Sequence, residues 1–353
     1  MISPNSIFEY SLASEHDGPD LLTLYESDDF KGNISVLYTR RPNPYLSYLQ
    51  EGEKVVFPII RLKETGELCG GGCCVIRKAF VNGSVKSTGY LTGLKIKPAY
   101  RRRIPYIQDL YQKMFVLTKG DVDLFYTTIL KDNTLAQRLF KQRRKNMPEY
   151  KFVQDYTVYC FKPKGKIRLS PGYRLEQGSC AGLDSFYKNH LSNYNLAPPI
   201  FDQLRWTQEN IFALRDQTGR IKAACGIWNQ QRYKQYIITK YRGIHKYLQH
   251  IPLEWLGYPN LPKENQIANY ASLALFLVED NDLEIARSFL IMLTKRVSQF
   301  DFFMLGLVMN HPLNTVFNQV KHVKYESKLY TVHNDHSHEQ LDTRAISLEV
   351  GLL

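Results

Sequence analysis

The order of turns and strands in this chain is written twice. Val55 to Arg61 is an apolar stretch that leads to the turn Glu64-Thr65-Gly66 and on to the apolar, cysteine-rich Leu68 to Phe80. Phe212-Ala213-Leu214-Arg215 leads in the same way to Gln217-Thr218-Gly219. Asp123-Leu124-Phe125 through Phe140 is matched by Asp301-Phe302-Phe303 through Phe317, and Tyr156-Thr157-Val158 by Tyr330-Thr331-Val332. Self-similarity of this kind predicts two copies of one supersecondary plan. The basic, turn-rich KPKGKIRLSPG, from Lys162 to Gly172, would join them. A length of 353 residues agrees, because one hydrophobic core stops growing at about 250–300 residues. Two domains are expected, 1–162 and 173–353. The turn glycines Gly66 and Gly219 lie 153 positions apart but Asp123 and Asp301 lie 178 apart, so the second copy carries about 25 extra residues. The aromatic-rich Tyr233 to Asn269 is the expected place for them.

The local signals within the first copy define an antiparallel meander followed by alternating helices and strands. Asn82-Gly83 supplies the two positive-φ positions of a tight hairpin turn, and Gly89 to Ile96 continues as a strand. After Pro98 the period changes: Ile107, Leu110, Met114 and Leu117 fall three or four apart, with Pro105 suited to a first helical turn and Gly120 to a stop. Leu124 to Leu130 predicts a buried strand, Asp132 or Asn133 the cap of a helix running through Arg144, and Tyr156 to Phe161 a closing strand. The expected fold class is α/β (α+β), each copy a mixed, mostly antiparallel sheet flanked by helices.

Composition narrows the function classes without choosing one. The opening MISPNSIFEYSL has no basic stretch before an apolar core, and no segment approaches the roughly 18 apolar residues of a membrane span. A cytoplasmic protein without a membrane partner is expected. The cysteines Cys69, Cys73, Cys74, Cys160, Cys180 and Cys225 lack paired metal-site spacing and read as buried thiols. His333, His336 and His338 read as a polar tail, and no metal is expected. A formal charge of +12 favours anionic partners in general, among them CoA phosphates, acidic carrier proteins, RNA or phospholipid. Nucleic acid is compatible with that charge but not favoured.

Tyr90-Leu91-Thr92-Gly93-Leu94-Lys95-Ile96-Lys97-Pro98-Ala99-Tyr100-Arg101-Arg102 resembles the acetyl-CoA motif of the GCN5-related N-acetyltransferase superfamily, in which a strand ends at a proline, then an aromatic residue and an arginine precede a loop that opens a helix. Asn133-Thr134-Leu135-Ala136-Gln137-Arg138-Leu139-Phe140 resembles the family's next motif. The resemblance covers about residues 5 to 162 and, more weakly, 173 to 334; it implies two tandem acyl-CoA N-acyltransferase-like domains. It also implies acetyl-CoA, or another acyl-CoA, as co-substrate. A helix N-terminus offers unpaired amides and a partial positive charge to a pyrophosphate. The resemblance therefore puts Arg101, Arg102, Arg103, Ile104 and Tyr106 near the phosphates, Asn133 and Phe140 along the pantetheine arm, and the carbonyl-polarising backbone at Leu94 and Ile96.

Three departures mark this copy. Ile104 and Tyr106 stand where the family has glycines, with the amide-less Pro105 between them. Phe140 stands where the family often has the tyrosine that protonates the departing thiolate, a group phenylalanine lacks. Tyr126, Tyr111 or a bound water could replace it, and Tyr126 is taken as the candidate catalytic residue. In the second copy Glu279-Asp280-Asn281-Asp282-Leu283-Glu284 occupies the phosphate-loop position, where carboxylates repel phosphate, so that copy is expected to shape the substrate cleft without binding CoA. The leading expectation is acyl transfer from CoA to a small-molecule or peptide amine. Transfer from aminoacyl-tRNA or acyl carrier protein, and a non-enzymatic binding protein on the same fold, are the alternatives.

Overall fold

A computed structural model of the chain describes residues 7–101, 107–141, 147–162, 172–178, 181–199, 210–251, 253–334 and 339–353. In chain order the first half forms β1 (Phe8–Leu12), α1 (Gly18–Tyr25), β2 (Ile34–Thr39), α2 (Pro44–Leu49), β3 (Lys54–Val56), β4 (Pro58–Leu62), β5 (Leu68–Val81) and β6 (Ser84–Ile96). It continues with α3 (Ile107–Leu117), β7 (Leu124–Leu130), α4 (Thr134–Lys141) and β8 (Glu149–Phe161). The second half forms β9 (Arg174–Gln177), α5 (Leu183–Leu191), β10 (Ile211–Arg215), β11 (Ile221–Trp228), β12 (Gln235–Tyr241) and α6 (His245–Leu248). It ends with β13 (Tyr270–Val278), α7 (Leu283–Arg296), β14 (Phe302–Val308), α8 (Asn314–Gln319) and β15 (His322–His333).

The turn chemistry acts where the residues predict it. Asn82 and Gly83 hold φ of 54° and 81°, which closes the β5–β6 hairpin in register. The period-3.6 stretch forms α3, burying Leu110, Tyr111, Met114 and Phe115. Asn133 accepts from the amide of Ala136 at 3.1 Å and so caps α4; the Arg144 end of that helix lies outside the described residues. The apolar stretch from Val55 to Arg61 is broken in two, because Phe57 leads into Pro58, which lacks a ladder donor. β8 begins at Glu149, seven positions earlier than the YTVYCF signal, since its first half alternates polar residues and lacks an apolar run.

Among the described residues, thirteen strands form one sheet. The order is β1-β4-β5-β6-β7-β15-β8-β14-β13-β11-β10-β9, with β3 pairing β5 beside that path. The order is palindromic in character. In the first half β5 and β6 are antiparallel, β6 and β7 parallel, and β7 and β15 antiparallel. In the second, β11 and β13 are antiparallel, β13 and β14 parallel, and β14 and β8 antiparallel. The expectation that Tyr156 to Phe161 closes its own copy does not hold, because the two closing strands are exchanged. β15 completes the first half and β8 the second, and the two pair with each other through the middle of the sheet. The two strands carry nearly the same YTV signal, so the sequence cannot say which neighbour each takes.

The exchange makes the core continuous. One cluster joins Tyr25, Tyr48, Tyr90 and Tyr126 of the first half to Tyr270, Phe302, Met304 and Leu329 of the second. The insertion expected at Tyr233 to Asn269 contributes β12, which pairs antiparallel with β2 as a separate two-stranded sheet. No described helix is long and apolar enough to cross a membrane.

Candidate active site

The parallel pair β6 and β7 keeps register only through Thr88, Gly89 and Tyr90 opposite Leu124, Phe125 and Tyr126. Beyond that point the strands diverge, bridged by the Thr127 hydroxyl, which donates to the Leu91 carbonyl at 2.7 Å, and by the Tyr90 and Thr128 hydroxyls 2.8 Å apart. The splay opens a cleft of ≈ 240 Å³ between α3, α4 and β2. Gly93 and Leu94 form its floor on β6, Thr128 and Leu130 one wall, Tyr111 and Met114 another.

The floor carries a β-bulge. Pairing between β5 and β6 slips by one residue between Gly71 and Cys73, and Gly93 takes φ of +63°. A bulge re-aims backbone groups out of the ladder, and glycine alone adopts this φ without strain. A second constraint acts from behind: a Cβ built on Gly93 would lie 2.0 Å from the Tyr25 hydroxyl oxygen and 2.6 Å from that of Tyr48. Those hydroxyls hydrogen-bond each other at 2.7 Å, and burial keeps both protonated. The Arg40 guanidinium sits 3.7 Å from the Tyr48 ring centroid and forms a two-point pair with Glu51. Burial pushes the Glu51 carboxyl up, but the opposing charges of Arg40 and Lys234 outweigh it and hold the group below the usual carboxylate range. Lys234, from the second half, donates to Glu51 and to the Gly351 carbonyl, both at 3.0 Å; burial pulls its pKa down to about 8.

On the opposite side of the cleft the Tyr150 hydroxyl donates to that of Tyr111 at 2.7 Å. Burial raises the Tyr111 phenol to about 12 and that of Tyr150 further, so both are proton-bearing at neutral pH. Among the residues expected from sequence, Leu94 and Asn133 line the cleft. Ile96 instead packs in a cluster with Phe8, Tyr10 and Leu110. Arg101 is exposed and bound to the Asp28 carboxylate at 2.8 Å. Tyr126 stands at the last paired position before the splay, 2% exposed, where its hydroxyl accepts from Arg77 at 2.9 Å and 3.1 Å; it does not line the cleft. Arg102, Arg103, Ile104 and Tyr106 lie outside the described residues, as does the side chain of Phe140. No pattern in the sequence marks Tyr25, Thr128 or Tyr150 for the cleft, and the glycine at position 93 inside the strand Gly89 to Ile96 is the one signal for the bulge.

The second half repeats this geometry and closes it. Pairing of β11 with β13 slips between Ala224 and Gly226, and Leu275, three positions past the last parallel pair as Gly93 is, has φ of +48°. Its amide donates to the buried carboxylate of Glu349 at 2.7 Å. Phe276, Phe289 and Phe317 pack together beside it in the core. At the start of α7 the Asp282 carboxylate accepts from the amides of Glu284 and Ile285, at 2.8 Å and 2.9 Å, so the donors a phosphate would use are taken. Glu279 is paired with Lys222. Among the described residues no His, Cys, Asp and Glu side chains group into a metal site.

Two parallel pairs that splay beyond a bulged strand, with helices at the splay, define the acyl-CoA N-acyltransferase fold of the GCN5-related enzymes, and the chain has that fold. Among solved structures, the yeast Saccharomyces cerevisiae N-myristoyltransferase with bound myristoyl-CoA is similar over 98% of this chain and 86% of its own, with a TM-score of 0.58 at 11% identity. A GCN5-related N-acetyltransferase from Anabaena variabilis is similar over 91% of this chain and 72% of its own (TM-score 0.51, 11% identity). The GCN5-related glucosamine N-acetyltransferase region of a fungal multi-domain β-N-acetylglucosaminidase is similar over 94% of this chain and 38% of its own (TM-score 0.60, 14% identity). No protein-family model and no curated protein sequence matches the chain.

Proposed function

We propose that the first half transfers an acyl group from acyl-CoA to an amine. The observation that carries the reading is the bulge pair. In the second half the bulge amide at Leu275 holds a carboxyl oxygen of Glu349 at 2.7 Å, and Gly93, at the equivalent position of the first half, lines a cleft. An amide in this setting donates to a carboxyl oxygen, and one aimed at the cleft would donate to the carbonyl oxygen of a thioester, which gains negative charge during acyl transfer. The thioester supplies the electrophile when bound. Gly93 would donate to its oxygen, with Leu94, Thr128 and Met114 holding the arm that carries it. Tyr111, kept protonated and oriented by Tyr150, would give a proton to the sulfur as the C–N bond forms and the C–S bond breaks, while the proton lost by the nitrogen passes to solvent and solvent returns one to the phenol; this is the role the sequence left open at Phe140. The second half, with its bulge amide and helix start already bonded, supports and shapes the cleft. The acceptor class is a primary amine on a small molecule or peptide.

Calorimetry with acetyl-CoA tests this. Wild type should bind one equivalent, Thr128→Trp should abolish binding by filling the cleft, and Glu279→Ala in the second half should leave it unchanged. No binding by wild type, or binding that survives Thr128→Trp and is lost in Glu279→Ala, overturns the proposal. The first of those outcomes would favour a donor carried on tRNA or a carrier protein.

A further inference from the structure

The insertion in the second half holds an apolar surface with no internal purpose. From Gly243 to Ile251 the backbone is helical in its hydrogen bonds, Tyr247 and Leu248 reaching back to Ile244, Gln249 to His245 and Ile251 to Leu248. Ile244, Tyr247 and Ile251 therefore fall at i, i+3 and i+7 on one stripe. That stripe faces solvent: Ile244 is 67% exposed, Tyr247 70% and Ile251 48%, and Leu256 just beyond is 65% exposed. The inward side of the same segment is also apolar, with Leu253 buried and Leu248 half-buried. A solvated helix face on a small insertion would be polar, so a contiguous apolar stripe signals a contact surface.

Charge selects the partner. From Asn229 to Leu256 Glu254 is the one acidic residue and is half-buried, while Lys240, Arg242, Lys246 and His250 are exposed among the apolar residues. Branched aliphatic side chains do not stack on bases as a nucleic-acid surface requires. Aliphatic residues with an interfacial tyrosine and flanking lysines match the boundary of an anionic bilayer, where the apolar groups enter the acyl region and the cations meet headgroups. The strand that leads into this face is anchored to the body of the protein. β12 pairs with β2 from Tyr241 opposite Ile34 to Gln235 opposite Thr39, and Arg242 donates to the Gly32 carbonyl at 2.6 Å and the Ser35 hydroxyl at 2.8 Å.

We infer that the face formed by Ile244, Tyr247, Ile251 and Leu256 is a docking surface for anionic lipid membranes. This holds the protein at the bilayer peripherally, a mode that needs no spanning segment. Because β2 also carries Tyr38, and Phe30 beside it lines the cleft, docking turns that edge of the cleft toward the lipid–water boundary.

Sedimentation with vesicles of phosphatidylcholine, with and without phosphatidylglycerol, tests the inference on the full chain. Wild type should co-sediment with the anionic vesicles and weaken as salt is raised. Ile244→Ser, Tyr247→Ser and Leu256→Ser combined should weaken binding at least about tenfold, since each removes buried apolar area. Lys240→Gln and Lys246→Gln should each weaken it about fivefold, on anionic vesicles only. A readout on wild type alone keeps the test independent of how the variants fold: anionic vesicles should protect Lys240 and Lys246 from acetic anhydride. Wild type that stays in the supernatant, an unprotected Lys246, or a well-folded triple variant that binds as wild type overturns the inference. So does concentration-dependent self-association abolished by the triple variant, which would show that a second copy covers the face. None of these readouts depends on CoA, so the result stands apart from the proposed activity.

Discussion

At the scale of single residues, Gly93 is the most constrained position in the candidate site. Its φ of +63° costs an alanine roughly 1–2 kcal/mol, and a Cβ would also collide with the Tyr25 hydroxyl at 2.0 Å. Gly93→Ala should therefore lower stability by about 2 kcal/mol or more in urea unfolding and abolish acetyl-CoA binding. Adding Tyr25→Phe, which removes the colliding oxygen, should return part of the stability. Equal stability of the single and double variants would show that the hydroxyl is not the obstacle. Glu349 gives a pH signature of definite sign. Burial raises its carboxyl to about 7 against the ordinary 4.5, so the folded state prefers the protonated form. Its contribution to stability is thus fully present below the ordinary value and is lost as pH rises through 7, by at most about 3 kcal/mol. Glu349→Gln should gain stability relative to wild type between about pH 5 and pH 8. A difference that does not change with pH in parallel denaturant titrations would mean that Glu349 stays ionised.

At the scale of elements, the sequence was legible wherever a turn or a helical period stood beside an apolar run. The β5–β6 hairpin followed from Asn82-Gly83, α3 from the spacing of Ile107, Leu110 and Met114, and β7 from LFYTTIL. It was illegible where specificity is tertiary. Tyr126 and Tyr111 look alike in sequence, yet Tyr126 sits below the splay on Arg77 and Tyr111 faces the cleft, because β6 and β7 part just past Tyr90 and Tyr126, short of the bulge opposite Gly72, and neither tyrosine marks that point in the sequence. Tyr150 entered from β8, whose polar alternation hid its start. The Tyr111–Tyr150 pair carries a prediction at this scale. If the proposed activity holds, Tyr111→Phe should lower kcat by about 10²- to 10⁴-fold with little change in KM, the effect of removing a positioned general acid. Tyr150→Phe, which leaves Tyr111 in place but unoriented, should lower it less. A Tyr126→Phe variant should instead lose stability, since the buried Arg77 Nε–H would lose its acceptor, while keeping its turnover per folded molecule, and the opposite pattern would return the acid to Tyr126.

At the scale of the whole molecule, the exchange of closing strands decides how the halves depend on each other. The junction near Lys162 to Gly172 reads in sequence as a domain boundary, yet β8 on its near side pairs only with β14 and β15 from the far side. The first half without β15 would leave the β7 edge unpaired, with Phe125 and Tyr126 beneath it, and would carry β8 as a strand without neighbours. The second half without β8 would expose β14 in the same way, a strand with Phe303, Met304 and Leu305 buried. Long apolar edges of this kind recruit other chains. Buried charges add to the dependence, since Glu51 of the first half is neutralised in part by Lys234 of the second, and a buried carboxylate that loses one of two cations costs several kcal/mol. Fragments 1–165 and 166–353, produced separately, should each aggregate or remain unfolded by circular dichroism and hydrogen exchange. Produced together, they should assemble into a one-to-one complex with the fold of the intact chain, and the intact chain should melt in a single transition. Two independently soluble fragments, each with a sharp thermal transition, would show that each half can close on its own last strand and that the exchange is not what holds the molecule together.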